Sequence, residues 1–164
     1  MVDAQTLQTI SIGIASAGIL VAAIYYILQL RHQKIVRQTD LVIRLASDFK
    51  SKEFLEAEVD VLNVDFEDYN DFAKRYGKLF SRNQIPMSIT IVGNFFEQLG
   101  VLYKNGLLSY SLIIQLFPTT IIWEKMRPLI EGVRKESHNP LYYENFEYLY
   151  NEVKKREQRG ASHG

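Results

Sequence analysis

LQTISIGIASAGILVAAIYYILQL, residues 7–30, contains no charged side chain over 24 consecutive positions. As a helix it extends roughly 36 Å, at about 1.5 Å per residue, and the hydrocarbon core of a bilayer is roughly 30 Å thick. A domain of this size seldom buries a helix that is apolar on every side. The stretch therefore predicts a helix that spans a membrane with some tilt.

The residues that flank this stretch predict its orientation. Only Asp3 is charged before it, whereas a basic cluster follows directly: Arg31, His32, Lys34 and Arg37. By the positive-inside rule, the N-terminus lies outside and the C-terminal part is cytoplasmic. A cleaved signal peptide is the alternative, but a basic n-region is missing, the apolar run is long and Ala15-Ser16-Ala17 lies inside it. These features favour an uncleaved anchor in the cell membrane.

One face of this helix is small and polar. Residues at steps of three and four form a heptad seam on it: Gln8, Ser11, Ala15, Gly18, Ala22, Tyr25, Gln29 and His32. The opposite face is apolar: Ile10, Ile14, Ala17, Val21, Ile24 and Leu28. Small residues let helices approach closely in lipid, so the seam favours self-association. A polar lining for a pore and an accidental pattern in a single anchor are the alternatives.

Composition excludes several classes of site. The 164 residues carry no net charge and no Cys, so disulfides, thiolate catalysis and cysteine-ligated metals are excluded, and no basic footprint for nucleic acid is present. His32, His138 and His163 are too far apart to share a metal on one helix face. About 130 residues remain after the anchor, enough for one domain. We expect no catalytic residue, no metal and no cofactor.

The first half of the chain lacks helix breakers between Gly18 and Gly77. One helix is therefore expected over residues 5–50, with one apolar stripe in its later part: Ile35, Val42, Leu45 and Phe49. A basic juxtamembrane group follows the apolar stretch: Arg31, Lys34 and Arg37. These cations either contact anionic lipid or serve as the signal that sets the orientation of the helix in the membrane. Residues 53–71 are acidic and predict one or two helices with Val59, Leu62, Phe66, Tyr69 and Tyr76 at helical spacing. A calcium loop is disfavoured because Asn70 and Tyr76 stand where Gly and Glu are required.

The second half predicts further helices and no strand. Pro86 suits the first turn of a helix that ends at Lys104-Asn105-Gly106. Ser109 can cap a short helix that stops at Pro118, and Pro128 must kink or restart the next one. A last helix is expected over residues 141–156. The predicted fold is all-α: an anchor (1–30), a basic juxtamembrane helix (31–52), a cytoplasmic bundle of about five to six helices (53–158) and a frayed tail (159–164).

Four segments of the second half carry a family resemblance: NFFEQLGVL (94–102), GLL (106–108), WEKMRPLI (123–130) and YENFEYL (143–149). In order and spacing they resemble a family of small prokaryotic proteins known as a domain of unknown function. The likeness covers roughly residues 86–155. It implies a helical domain, often behind one N-terminal membrane helix, without an assigned activity.

Within these segments, Gly100 suggests a close helix contact, and Trp123, Phe95, Phe96 and Phe146 suggest an aromatic centre. Glu97, Arg127 and Glu147 are polar among apolar neighbours, so we expect a structural cluster in which Arg127 pairs with a carboxylate across helices. A ligand site or a catalytic carboxylate pair is the alternative.

The leading hypothesis is a non-enzymatic, single-pass membrane protein that homo-oligomerises through its membrane helix and presents a helical scaffold or regulatory module. The expected partners are the lipid bilayer, further copies of the chain and a cytoplasmic protein, but no nucleic acid. The alternative is a homo-oligomeric ion channel whose pore is lined by the seam. A membrane-tethered enzyme based on Glu97 and Glu147 is a third hypothesis.

Overall fold

The computed structural model describes residues 3–79 and 83–161. Over these residues the chain is all-helical, with seven helices and no strand. They are α1 (Ala4–Phe49), α2 (Lys52–Asn63), α3 (Tyr69–Tyr76), α4 (Gln84–Lys104), α5 (Tyr110–Leu116), α6 (Thr119–Ser137) and α7 (Glu144–Ala161). The predicted all-α class is confirmed, and among the described residues six helices follow the first one.

The chain divides into two compact units between Ile43 and Arg44. The first unit is the greater part of α1. This helix runs for 46 residues without interruption, as the lack of Pro and Gly after Gly18 predicts. The second unit contains the last turns of α1 and helices α2–α7.

Helix α4 forms the centre of the second unit and makes its main contacts with α7 and α2. Its apolar stripe is fully buried at Ile89, Val92, Phe96 and Leu99. The ring of Phe96 stacks on the ring of Phe146 in α7, with centroids 4.9 Å apart. Trp123 of α6 meets the Phe146 ring edge-on, also at 4.9 Å between centroids. The predicted aromatic centre is therefore confirmed.

A second aromatic group fixes the end of α1. The ring centroid of Phe49 lies 5.1 Å from that of Phe54, 5.8 Å from Phe95 and 5.2 Å from Phe117. Leu45, one turn earlier, is only 4% exposed. Aromatic pairs at such separations stabilise beyond the area that they bury, so the last turns of α1 belong to the core of the second unit.

Side-chain caps begin several of these helices. The Oγ of Ser51 accepts from the N–H of Phe54, and the carboxylate of Asp68 accepts from the N–H of Asp71. The predicted cap Ser109 accepts from Leu112 in the same way. Such caps satisfy backbone donors that lack an intrahelical partner.

The prolines act mostly as predicted. Pro86 lies in the first turn of α4, and α5 ends two residues before Pro118. Pro128, however, lies inside α6, and the helix does not restart there. Met126 and Leu129 are fully buried on either side of it, so packing holds the helix together despite the lost backbone hydrogen bond.

Glycines permit two close contacts between helices. A Cβ atom at Gly100 of α4 would overlap the backbone carbonyl of Asn145 in α7, which confirms the close contact expected there. A Cβ atom at Gly132 of α6 would overlap the side chain of Tyr69 in α3.

Several sequence predictions are corrected by the structure. In α2 the buried residues are Phe54, Ala57 and Val61, whereas Val59 and Leu62 are exposed. Both sets have helical spacing, and only the surrounding helices determine which set faces the core.

The last helix starts three residues later than expected. Residues 140–143 form a turn, and Tyr143 has a φ of 56°. Residues 159–161 lie in α7 rather than in a frayed tail. Ser162, His163 and Gly164, which were expected to fray, lie outside the described residues.

Candidate functional site

The longest run of exposed residues in the described part of the chain lies on α1. Every side chain from Ser11 to Arg37 is exposed, and nothing lies within 4 Å of a Cβ atom built on Gly13 or Gly18. The apolar part of this helix has a mean hydropathy of 2.0. Monomeric soluble proteins rarely expose so long an apolar surface.

Helix α4 also has the length and composition of a membrane span, with a mean hydropathy of 1.3, but half of that window is buried inside the protein. Its apolar residues already form the core of the second unit. By length, composition and exposure, α1 is the stronger candidate span of the two.

The seam residues of α1 keep their register because the helix is unbroken. Gln8, Ser11, Ala15, Gly18, Ala22, Tyr25 and Gln29 lie on one face at heptad spacing, and all of them are exposed. The basic group Arg31, Lys34 and Arg37 is exposed as well, and it lies away from this seam. A residue advances by about 100° around a helix, which places Lys34 almost opposite the extension of the seam.

Glu97 serves as a cap for another helix. Its Oε2 accepts from the backbone N–H of Phe146 at 2.8 Å, and its Oε1 accepts from the N–H of Asn145 at 3.3 Å. The side-chain amide of Asn145 also donates to Oε1 at 2.7 Å. A carboxylate is favoured at a helix N-terminus because donors and the helix dipole converge there. Glu97 thus joins α4 to the start of α7.

The polar cluster expected around Arg127 is not formed as predicted. Arg127 is 55% exposed and its Nε donates to Glu131 on its own helix at 2.9 Å. Glu147 pairs with Arg134, whose Nη1 lies 2.7 Å from Oε2. Arg134 also donates from Nε to the carbonyl of Tyr142 at 2.9 Å. The cation that pairs with Glu147 across helices is therefore Arg134, which sequence reasoning missed.

The geometry of these carboxylates points to structural roles. Glu97 is occupied by donors of α7, and Glu147 by a guanidinium. Tyr143 lies near them, and burial is the main cause that raises its pKa. The hydroxyl of Tyr143 donates to the side-chain oxygen of Asn94 at 3.0 Å. Glu97 and Glu147 thus have different partners in the structure.

A cleft of about 500 Å³ lies between α3 and α6. At its edge the hydroxyl of Tyr69 donates to Glu136 at 2.6 Å, and Glu136 also pairs with Lys78. The ammonium of Lys78 and the hydroxyl of Tyr69 lower the pKa of Glu136, while burial, together with the bond to Glu136, raises the pKa of Tyr69 to about 12. The bond between Tyr69 and Glu136 links α3 to α6. It could not be predicted from the sequence, because the two residues are far apart along the chain.

The acidic segment uses part of its charge internally. Asp71 accepts from the N–H of Glu67 at 3.1 Å and pairs with Arg75 at 2.8 Å, and these bonds lower the pKa of Asp71. Across residues 3–79 and 83–161, no three His, Asp or Glu side chains form a group that could hold a metal ion.

Comparison with known proteins identifies the family of the chain. A family model described as "Domain of unknown function (DUF4760)" matches residues 13–153. No curated protein and no solved structure is significantly similar to the chain. The match begins inside the apolar part of α1 and ends in α7, so it covers more of the chain than the resemblance seen in the second half alone. The chain therefore belongs to the DUF4760 family, whose function is unknown.

Proposed function

We propose that the protein is a single-pass membrane protein of the cell membrane, anchored by residues 7–30. The observation that carries this proposal is the exposed surface of α1 over residues 11–30, which carries no charge. Burying apolar area in lipid contributes roughly 25 cal/mol per Å², whereas the same surface in water would drive aggregation. The continuous helix through residue 49 supports an uncleaved anchor.

The proposed orientation places the N-terminus outside and the second unit in the cytoplasm. It is supported by the exposed basic group Arg31, Lys34 and Arg37 directly after the apolar stretch. Because the chain contains no Cys, its second unit needs no oxidising compartment for disulfides.

The proposed role of the second unit is that of a non-enzymatic scaffold or regulatory module for a cytoplasmic protein. Its carboxylates Glu97 and Glu147 are engaged in helix contacts, which supports a structural rather than a catalytic use. Homo-oligomerisation through the seam of α1 would bring several copies of this module together. Small residues at the seam support this association, because lipid offers no hydrophobic drive between helices.

Anchoring is tested with tags at both ends of the full chain, expressed in cells and followed through fractionation. We expect both tags to remain on one polypeptide in the membrane pellet after an alkaline wash. Only the C-terminal tag should be protected from protease added outside intact cells. Loss of the N-terminal tag would show a cleaved signal peptide, and recovery in the soluble fraction would refute the anchor.

Self-association is tested by cross-linking in membranes with two matched glycine variants. Gly18 lies on the seam and Gly13 lies on the outer face, and both have open space around them. We expect a discrete oligomer that Gly18→Ile weakens and Gly13→Ile leaves intact, since only the first blocks close approach. Equal effects of both variants, or a monomeric wild type, would contradict the proposal.

An ion channel is the second candidate function. It is favoured by exposed polar residues near both ends of the seam, Gln8 and Ser11 at one end and Gln29 at the other. Rings of polar side chains support conduction when water can enter. Purified protein in planar bilayers would show unitary currents if the seam lines a pore, and none if it packs against other helices.

A further inference from the structure

The part of α1 that follows the apolar stretch has an exposed apolar face of its own. Val36 is 44% exposed, and Ile35 and Ile43 are each 61% exposed. They are the large aliphatic side chains exposed between Arg31 and Phe49.

This face continues the seam in the same heptad register. From Gln29 the alternating steps of three and four lead through His32 to Val36, Thr39 and Ile43. The helix contains no break at which the register could change. The hydroxyl of Thr39 donates to the carbonyl of Ile35 within the helix at 3.0 Å, so its polar atom is satisfied and its methyl group can pack.

The other side of the helix is already in use. Leu45 and Phe49 pack into the core of the second unit. At about 100° per residue, the positions of Leu45 and Phe49 lie roughly 140° around the helix axis from the extended seam. The extended seam and the buried pair Leu45 and Phe49 therefore lie on different faces of α1.

The charges are placed in a way that suits an identical partner. Arg31, Lys34, Arg37 and Arg44 fall at the outer positions b, c and f of the heptad when Val36 and Ile43 are position a. Only Asp40 flanks the seam closely. Two copies that cross the membrane in the same direction could pack these faces without opposing their cations.

We propose that the self-association interface continues out of the membrane as a short, parallel, left-handed coiled coil between copies, built on Val36, Thr39 and Ile43. This inference rests on the proposed function, because the membrane segment supplies the rest of the interface. The extension adds little more than one heptad, which would not associate alone. With the membrane seam, the repeat runs from Gln8 to Ile43, and a strict seven-residue repeat over that length imposes a left-handed supercoil.

The test uses single-cysteine variants of the full chain, which has no Cys of its own. Val36→Cys and Ile43→Cys report on the extension, and Ala15→Cys and Ala22→Cys report on the membrane seam. Lys34→Cys and Asp48→Cys are the controls, because both occupy position f, are exposed and change the net charge in opposite directions. Each variant is treated in membranes with a short, membrane-permeant thiol cross-linker.

We expect the yield of cross-linked dimer at Val36 and Ile43 to exceed the yield at the two controls by about tenfold. The control positions lie on the outer faces of paired helices, which are separated by roughly two helix diameters of about 10 Å each, a distance that exceeds the reach of a short cross-linker. Equal yields at seam and control positions outside the membrane would overturn the inference, and cross-linking at Ala15 and Ala22 would then leave the proposed function standing. Cross-linking at Val36 and Ile43 without any at Ala15 and Ala22 would refute the membrane interface and, with it, a coiled coil that continues that interface.

Discussion

Glu97 shows how one carboxylate can hold two helices together. It accepts hydrogen bonds from Asn145 and Phe146 at the start of α7. We expect Glu97→Ala to lower the free energy of unfolding by about 2 kcal/mol, because both the cap and charge-assisted hydrogen bonds are lost. The fluorescence of the single tryptophan, Trp123, reports unfolding of full-length protein in detergent. Gln98→Ala, an exposed neighbour, is the control, and equal stability of both variants would contradict this role.

The two arginines of α6 should respond very differently to truncation. The side chain of Arg134 is 18% exposed and donates hydrogen bonds to the Glu147 carboxylate and to the carbonyl of Tyr142. Arg134→Ala should therefore lower the free energy of unfolding by about 2 kcal/mol. Arg127→Ala should leave stability unchanged, because its pair with Glu131 is exposed and lies on one helix. Denaturant titration compares the two variants. A larger loss for Arg127→Ala would restore the cluster that the sequence predicted.

Tyr69 should make stability fall in alkaline solution. The folded state raises its pKa to about 12, above the value near 10 of an unfolded chain. The folded state thus holds this proton more tightly, so the contribution is complete below about pH 10 and is lost as pH rises toward 12. Unfolding free energies measured across this range should decline less steeply for Tyr69→Phe. An unchanged slope would show that Tyr69 ionises freely.

At this scale the sequence identified important residues better than it identified their partners. Glu97 and Glu147 stood out as polar positions among apolar neighbours, and both prove to join helices. Their partners could not be predicted, because Arg127 and Arg134 both lie on α6 and only the packing of α7 brings Arg134 to Glu147.

At the scale of helices, breakers and caps were readable, whereas the buried face of α2 was not. The run without Pro or Gly predicted α1, and Ser109 and Pro118 predicted the limits of α5. The buried face of α2 was missed because Val59 and Leu62 have the same spacing as Phe54, Ala57 and Val61. Local spacing defines a stripe, whereas the core that covers it is formed by distant segments.

Gly100 tests the contact between α4 and α7. A Cβ atom there would overlap the backbone of Asn145, and neither helix can move without disturbing the core. We expect Gly100→Ala to cost about 3 kcal/mol of unfolding free energy, measured by thermal and denaturant unfolding. Gly13→Ala, which meets open space, should leave the second unit unaffected. Tolerance of alanine at Gly100 would mean that the helices are not so closely packed.

At the scale of the whole molecule, the chain combines an exposed helix with a packed helical unit. The family match extends from residue 13 to residue 153 and so includes both parts. The apolar composition of residues 7–30 was sufficient to predict the exposed helix, because no charge interrupts it. The role of the second unit could not be predicted, since the polar residues that stood out in its sequence, Glu97 and Glu147, serve contacts between helices.

The most direct test of the central claim is the protein mass of the complex extracted from membranes, measured by light scattering with the detergent contribution subtracted. One chain has a mass of 19.0 kDa. We expect the wild type to require detergent for extraction and to have the mass of two or more whole chains, while Gly18→Ile shifts toward the mass of one chain. A wild-type mass of 19.0 kDa, or a protein that needs no detergent, would contradict the account.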